Sequence, residues 1–159
     1  MYLDMAKNPM RELKTKEDYE IWAKECYNSA EAFYEVIFRC KEMIFRNKYD
    51  TFAVLMNVAF ACELYLKTLL FWQNIDGRNE HDLYKLYKKL PEKQRNKLKE
   101  LHPCGNTSKS NFELELQEIG KAFIVSRYMY ERQRMACDVQ FLFELFTTLH
   151  DNIGENSKE

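Results

Sequence analysis

The stretch Phe52-Ala53-Val54-Leu55-Met56-Asn57-Val58-Ala59-Phe60-Ala61-Cys62-Glu63-Leu64-Tyr65-Leu66-Lys67-Thr68-Leu69-Leu70-Phe71-Trp72 decides the fold of this chain. Of its 21 residues only Asn57, Glu63, Lys67 and Thr68 are clearly polar, and a run of that length is long enough to cross a bilayer. Its charges point the other way. Glu63 and Lys67 lie mid-segment, where a charged residue costs about 2.5 to 3.5 kcal/mol on insertion scales. Spaced i, i+4 with the Glu first, they share one helical face and can pair. The spacing predicts a central core helix, apolar nearly all round because other helices surround it, and no membrane contact.

Upstream, Thr15 with Asp18 three residues on forms a capping box that uses Asp in place of Glu. Tyr19, Trp22, Cys26, Ala30, Phe33, Ile37, Cys40 and Ile44 then recur every three or four residues, predicting one long helix, or two nearly collinear ones, from Thr15 to about Arg46. Asn47 to Asp50 read as a short polar turn. Downstream, residues 74–78 read as a loop in which Gly77 supplies the helix stop, and Asn79 as the cap of a helix with Glu80, His81 and Asp82 in its first turn. That helix carries Leu83, Leu86, Tyr87 and Leu90, Pro91 begins another through Leu101, and His102 to Asn111 form a loop. Phe112, Leu116, Ile119, Phe123, Ser126 and Tyr130 predict a further helix, and a last one starts near Asp138, burying Val139, Leu142, Phe143, Phe146 and Leu149.

Composition agrees with this reading. Only 4 Gly and 3 Pro occur in 159 residues, too few breakers for an all-β fold with many turns. No stretch alternates as a strand does, and no repeat or linker divides the chain. The expected fold is all-α, a single up-and-down bundle of five or six helices with its core over about residues 15–150 and short flexible ends. Cys26, Cys40, Cys62, Cys104 and Cys137 contain no C-x-x-C pair and are expected to be reduced, mostly buried thiols of a cytoplasmic protein. Met1 to Lys14 has no apolar run and reads as no secretory signal.

No nucleophile elbow, phosphate loop, dinucleotide fingerprint or zincin motif is present. His81, His102 and His150 are far apart and none follows a Glu by three residues, so neither a metal nor a cofactor is expected. His81 is a candidate general base or RNA contact, because an imidazole titrates near working pH. Glu63 and Lys67 are a candidate binding pair as well as a buried structural one. The near-zero net charge of −1 hides a segment from Arg78 to His102 with eight Lys or Arg against four acidic residues. Its Lys85, Lys88 and Lys89 are candidate phosphate contacts, as are Arg127, Arg132 and Arg134 further on, with Tyr84, Tyr87, Tyr128 and Tyr130 near enough in sequence to stack on bases.

Three segments in this order resemble one branch of the HEPN superfamily of helical bundles. They are Ala59 to Leu70 with its Glu63-Leu64-Tyr65-Leu66-Lys67-Thr68-Leu69-Leu70, then His81-Asp82-Leu83 with Leu86 and Leu90-Pro91, then Phe123 with Arg127-Tyr128-Met129-Tyr130-Glu131. The resemblance covers about half of the chain. It implies an all-α bundle, commonly a homodimer, that binds or acts on RNA or nucleotides in bacterial defence or toxin-antitoxin settings, with an antitoxin or nucleotidyltransferase-like protein as partner. Active members are metal-independent ribonucleases with an R-x4-6-H motif. Arg127 stands where that arginine is expected, yet no His follows it until His150; Arg95 and His102 match the spacing formally, and His81 with Arg127 is a second candidate pair. In such a site the imidazole would move the 2′-hydroxyl proton and the guanidinium would stabilise the phosphorane. The leading expectation is a binding role toward RNA or a nucleotide. An RNA-cleaving enzyme comes second and a non-catalytic protein-interaction module third.

Overall fold

The computed structural model describes residues 12–106, 111–121 and 138–156. These residues form six α-helices and two short 3-10 turns, with no strand among them, and the fold class read from the sequence holds. Helix α1 spans Lys16–Cys40, α2 Lys48–Trp72, α3 Leu83–Lys89, α4 Glu92–Leu101, α5 Phe112–Ile119 and α6 Val139–Asn156.

Helix α1 starts as its sequence dictates. The Thr15 hydroxyl accepts from the Asp18 N–H at 3.2 Å while the Asp18 carboxylate accepts from the Thr15 N–H at 2.9 Å, closing the capping box. It runs to Cys40 and tightens into a 3-10 turn over Lys41–Phe45, so the long apolar stripe is α-helical for most but not all of its length. The turn expected at Asn47 to Asp50 is instead the start of α2. Asn47 Oδ1 accepts from the N–H groups of Tyr49 and Asp50, at 2.9 and 3.0 Å, and this cap lets the helix begin at Lys48.

Ring contacts fix how the two long helices run. Trp22 and Tyr19 near the start of α1 meet Phe71 near the end of α2, and Phe33 meets Phe60, so the pair is antiparallel. Helix α2 packs against α1, α3 and α6. Among the described residues it is the one helix long and apolar enough to span a membrane, yet 78% of its most apolar window is buried inside the protein, which makes it the core of the bundle. Leu142, Leu145, Phe146 and Leu149 of α6, Leu83 and Leu86 of α3 and Phe112 and Leu116 of α5 complete one continuous apolar core.

Three further boundaries differ from the sequence reading. Helix α2 ends in a Schellman motif at Asn74, whose φ of 56° is left-handed. The Asn74 N–H donates to Phe71 O and the Ile75 N–H to Leu70 O, each at 3.0 Å. Gly77 is thus not the stop. It lets the loop lie against the core, because a Cβ there would sit 3.1 Å from a Leu70 methyl. Helix α3 is capped by Asp82, whose Oδ1 accepts from the Lys85 N–H at 3.2 Å, and not by Asn79. His81 therefore precedes the helix instead of standing in its first turn. Helix α5 stops at Ile119, where Gly120 approaches Asp82 so closely that an added Cβ would lie 2.6 Å from its Oδ1. Gly120 O in turn accepts from the Leu83 N–H at 2.7 Å, joining the end of α5 to the start of α3.

Candidate functional site

Glu63 and Lys67 lie one turn apart on α2, on the face turned to the 74–82 connection. Both are buried, at 1% and 7% exposure, and Lys67 Nζ donates to Glu63 Oε1 at 2.8 Å. The same ammonium donates to Arg78 O at 3.2 Å. His81 Nδ1 stands 2.9 Å from that Glu63 Oε1. An ionised carboxylate can only accept, so Nδ1 carries the proton and Nε2 is left for other contacts. The His81 side chain is 50% exposed, so one ring edge is anchored on a buried anion while the other reaches solvent. The Glu80 carboxylate fixes the backbone here, accepting from the His81 and Asp82 N–H groups at 3.0 and 3.1 Å. Glu63 Oε2 is buried with no hydrogen-bond partner.

Helix α3 leads away from His81 and presents Lys85, Lys88 and Lys89 as exposed side chains. Lys88 reaches Glu113 at 3.4 Å and lies over the Tyr84 ring at 5.9 Å, and Lys89 donates to Asp76 O at 3.4 Å. These contacts are long and exposed and hold the ammonium groups only weakly, so they stay available to phosphate. Tyr87 is different. It is buried, and its hydroxyl donates to Arg95 O at 3.3 Å, which removes it from the candidate stacking residues.

His102 is a core residue. Its ring is fully buried between Phe112 and Phe141, Nδ1 accepts from the Cys104 N–H at 3.1 Å, and Nε2 lies 3.5 Å from Phe141 O. Burial holds its pKa below the ordinary histidine value, keeping the ring neutral. The expectation that Arg95 and His102 form a catalytic pair is corrected on this ground. Their spacing places them on and just beyond one helix, but an imidazole with no exposed surface cannot reach a 2′-hydroxyl. Arg95 is half-buried, with Nε lacking a partner. Arg127, Tyr128 and Tyr130 lie outside the described residues.

Cys26 sits near the Glu63–Lys67 pair, and burial pushes its thiol up to about 11, against the pull of Lys67. It stays protonated at neutral pH and is no thiolate nucleophile. No group of three metal-ligating side chains occurs among the described residues. A second polar constellation escaped the sequence reading: Tyr65 donates to Glu31 Oε1 at 2.7 Å, and His150 stacks on Tyr34 with ring centroids 3.7 Å apart. Its members come from three helices, and no sequence spacing links them. No family model matches the chain, and no curated protein or solved structure shows significant similarity to it.

Proposed function

We propose that this chain is an RNA-binding helical bundle whose contact surface is the exposed edge of His81 together with Lys85, Lys88 and Lys89 of α3. The observation that carries the reading is the half-exposed imidazole held by Nδ1 on the buried Glu63 carboxylate. Such a ring is oriented before any ligand arrives. Next to three exposed ammonium groups it supplies a hydrogen bond to phosphate oxygens at a fixed place. The resemblance to HEPN bundles supports RNA over other polyanions, and with it a homodimer and a setting in bacterial defence.

Fluorescence anisotropy with a labelled single-stranded RNA tests this. Binding is expected to weaken with salt, and replacing Lys85, Lys88 and Lys89 by Gln is expected to reduce the slope of log K against log salt by about 2, at roughly 0.7 per phosphate contact on a single strand. Salt-insensitive binding, or none, would leave the protein-interaction reading. A cleavage role is favoured by one feature alone, the carboxylate-oriented imidazole, which is the arrangement of a general base and its orienting group. Product analysis of the same mixtures reads it directly. RNA cleaved by the wild type and left intact by His81→Asn would turn the binding protein into an enzyme.

A further inference from the structure

A cavity of about 660 Å³ opens where the C-terminal end of α2 meets α4 and α6. It falls within the size range of small-molecule sites. Gln73 closes one side, Pro91, Lys93 and Gln94 from the start of α4 another, and Asn152 of α6 forms part of its wall. Asn152 is 2% exposed, and both its Oδ1 and the Oε1 of Gln94 are buried with no hydrogen-bond partner. Buried acceptors are nearly always satisfied, so two orphaned amide oxygens on one cavity call for a donor. Both lie on terminal amide torsions, which are broad, so either amide has freedom to turn.

The start of α4 adds the complementary preference. Pro91 occupies its N-cap position and gives no side-chain cap; its carbonyl takes the Gln94 N–H at 3.0 Å, which leaves the N–H groups of Glu92 and Lys93 at the positive end of the dipole without an intrahelical acceptor. The cavity thus asks for hydroxyl or amine donors at one end and an anion at the other. None of its described lining residues is aromatic, so it offers no platform on which a base would stack.

We propose that this cavity binds a hydroxyl-bearing sugar phosphate. Its hydroxyls donate to Asn152 Oδ1 and Gln94 Oε1, and its phosphate lies at the start of α4 by Lys93. The ligand is either a free sugar phosphate or the ribose phosphate of an RNA strand, and the site is independent of the His81 surface.

Titration calorimetry of the full chain with ribose 5-phosphate, with ribose and inorganic phosphate as separate probes, tests the assignment. Ribose 5-phosphate is expected to bind saturably, at least about tenfold more tightly than either half, and to weaken about tenfold or more in Asn152→Leu and Gln94→Ala. Asn152→Leu is expected to fold, since it removes a buried acceptor that has no partner. Should it not fold, Gln94→Ala and Lys93→Gln, on half-buried and exposed positions, carry the test. Displacement of a labelled RNA by ribose 5-phosphate, with no effect on a matched DNA, assigns the site to the RNA backbone; binding without displacement assigns it to a free sugar phosphate. The proposal is overturned by absence of saturable binding at millimolar ribose 5-phosphate, or by equal binding in the wild type and all folded variants. RNA binding that needs the α3 lysines but survives Asn152→Leu would sustain the His81 surface and remove the cavity from it.

Discussion

Glu63 is the residue on which the site turns, because one buried oxygen serves both Lys67 and His81. Removing one partner of a buried ion pair costs about 3 to 5 kcal/mol, whereas replacing both by apolar residues of similar shape is often neutral. Glu63→Ala is accordingly expected to lower unfolding free energy by about that amount, and the Glu63→Leu, Lys67→Met double variant by much less. Urea denaturation of the wild type, Glu63→Leu, Lys67→Met and the double variant checks this; a double-variant loss equal to the sum of the two single losses would show that the pair is not coupled. The pairing of Glu63 with Lys67 was legible, since i, i+4 spacing alone places them together. His81 as the third member was not. A connection of irregular backbone lies between, and its path depends on the Asn74 turn and on the Lys67 contact to Arg78 O. His102 reads in sequence as a motif residue and proves to be a core one, because its neighbours Phe112 and Phe141 come from elsewhere in the chain. Its titration gives a second prediction. Burial lowers its pKa from the ordinary 6.5, so below that value the unfolded chain binds the proton while the native one does not. The stability it contributes is full above about pH 6.5 and is lost as pH falls toward the lowered value. Urea midpoints measured across that window should fall, and His102→Leu should show a shallower fall.

At the scale of elements, side-chain caps decide where helices begin, and the pattern of apolar residues decides which face they bury. Thr15 with Asp18 could be read directly from the sequence. Asn47 could not be separated from a turn, since Asn serves both, and only the bonds from Tyr49 and Asp50 distinguish them. Asn47→Ala is expected to cost about 1 kcal/mol of stability and to increase amide hydrogen exchange in the first turn of α2 without disturbing its centre. Uniform protection along α2 in that variant would show that the cap is dispensable. Asp82 outcompeted Asn79 for α3 because Gly120 O accepts the Leu83 N–H, so a tertiary contact sets the helix start. That contact needs a residue without Cβ at position 120, which is why Gly120 interrupts an otherwise regular apolar spacing. The polar positions on α6 hold the same lesson. Asn152 lies three residues beyond Leu149 on the buried face, and neither its burial nor the cavity it lines was read from the sequence.

For the whole molecule, the all-α class follows from the scarcity of Gly and Pro and from an α2 that is apolar nearly all round, both visible in the chain. What brings His81 to the same place as Glu63 and Lys67, and puts His102 out of reach, is the packing of α3 and α5 against the core, which sequence spacing does not encode. The charge pattern acquires a location in the fold: the lysines of α3 follow directly on the anchored imidazole. Imidazole 15N–1H correlation spectra recorded while single-stranded RNA is titrated into the protein test that surface most directly. The His81 ring signals should shift saturably, following the same binding curve as the Lys85, Lys88 and Lys89 amides, while the buried His102 ring stays unmoved. RNA binding that leaves the His81 signals in place would contradict the assignment of this surface.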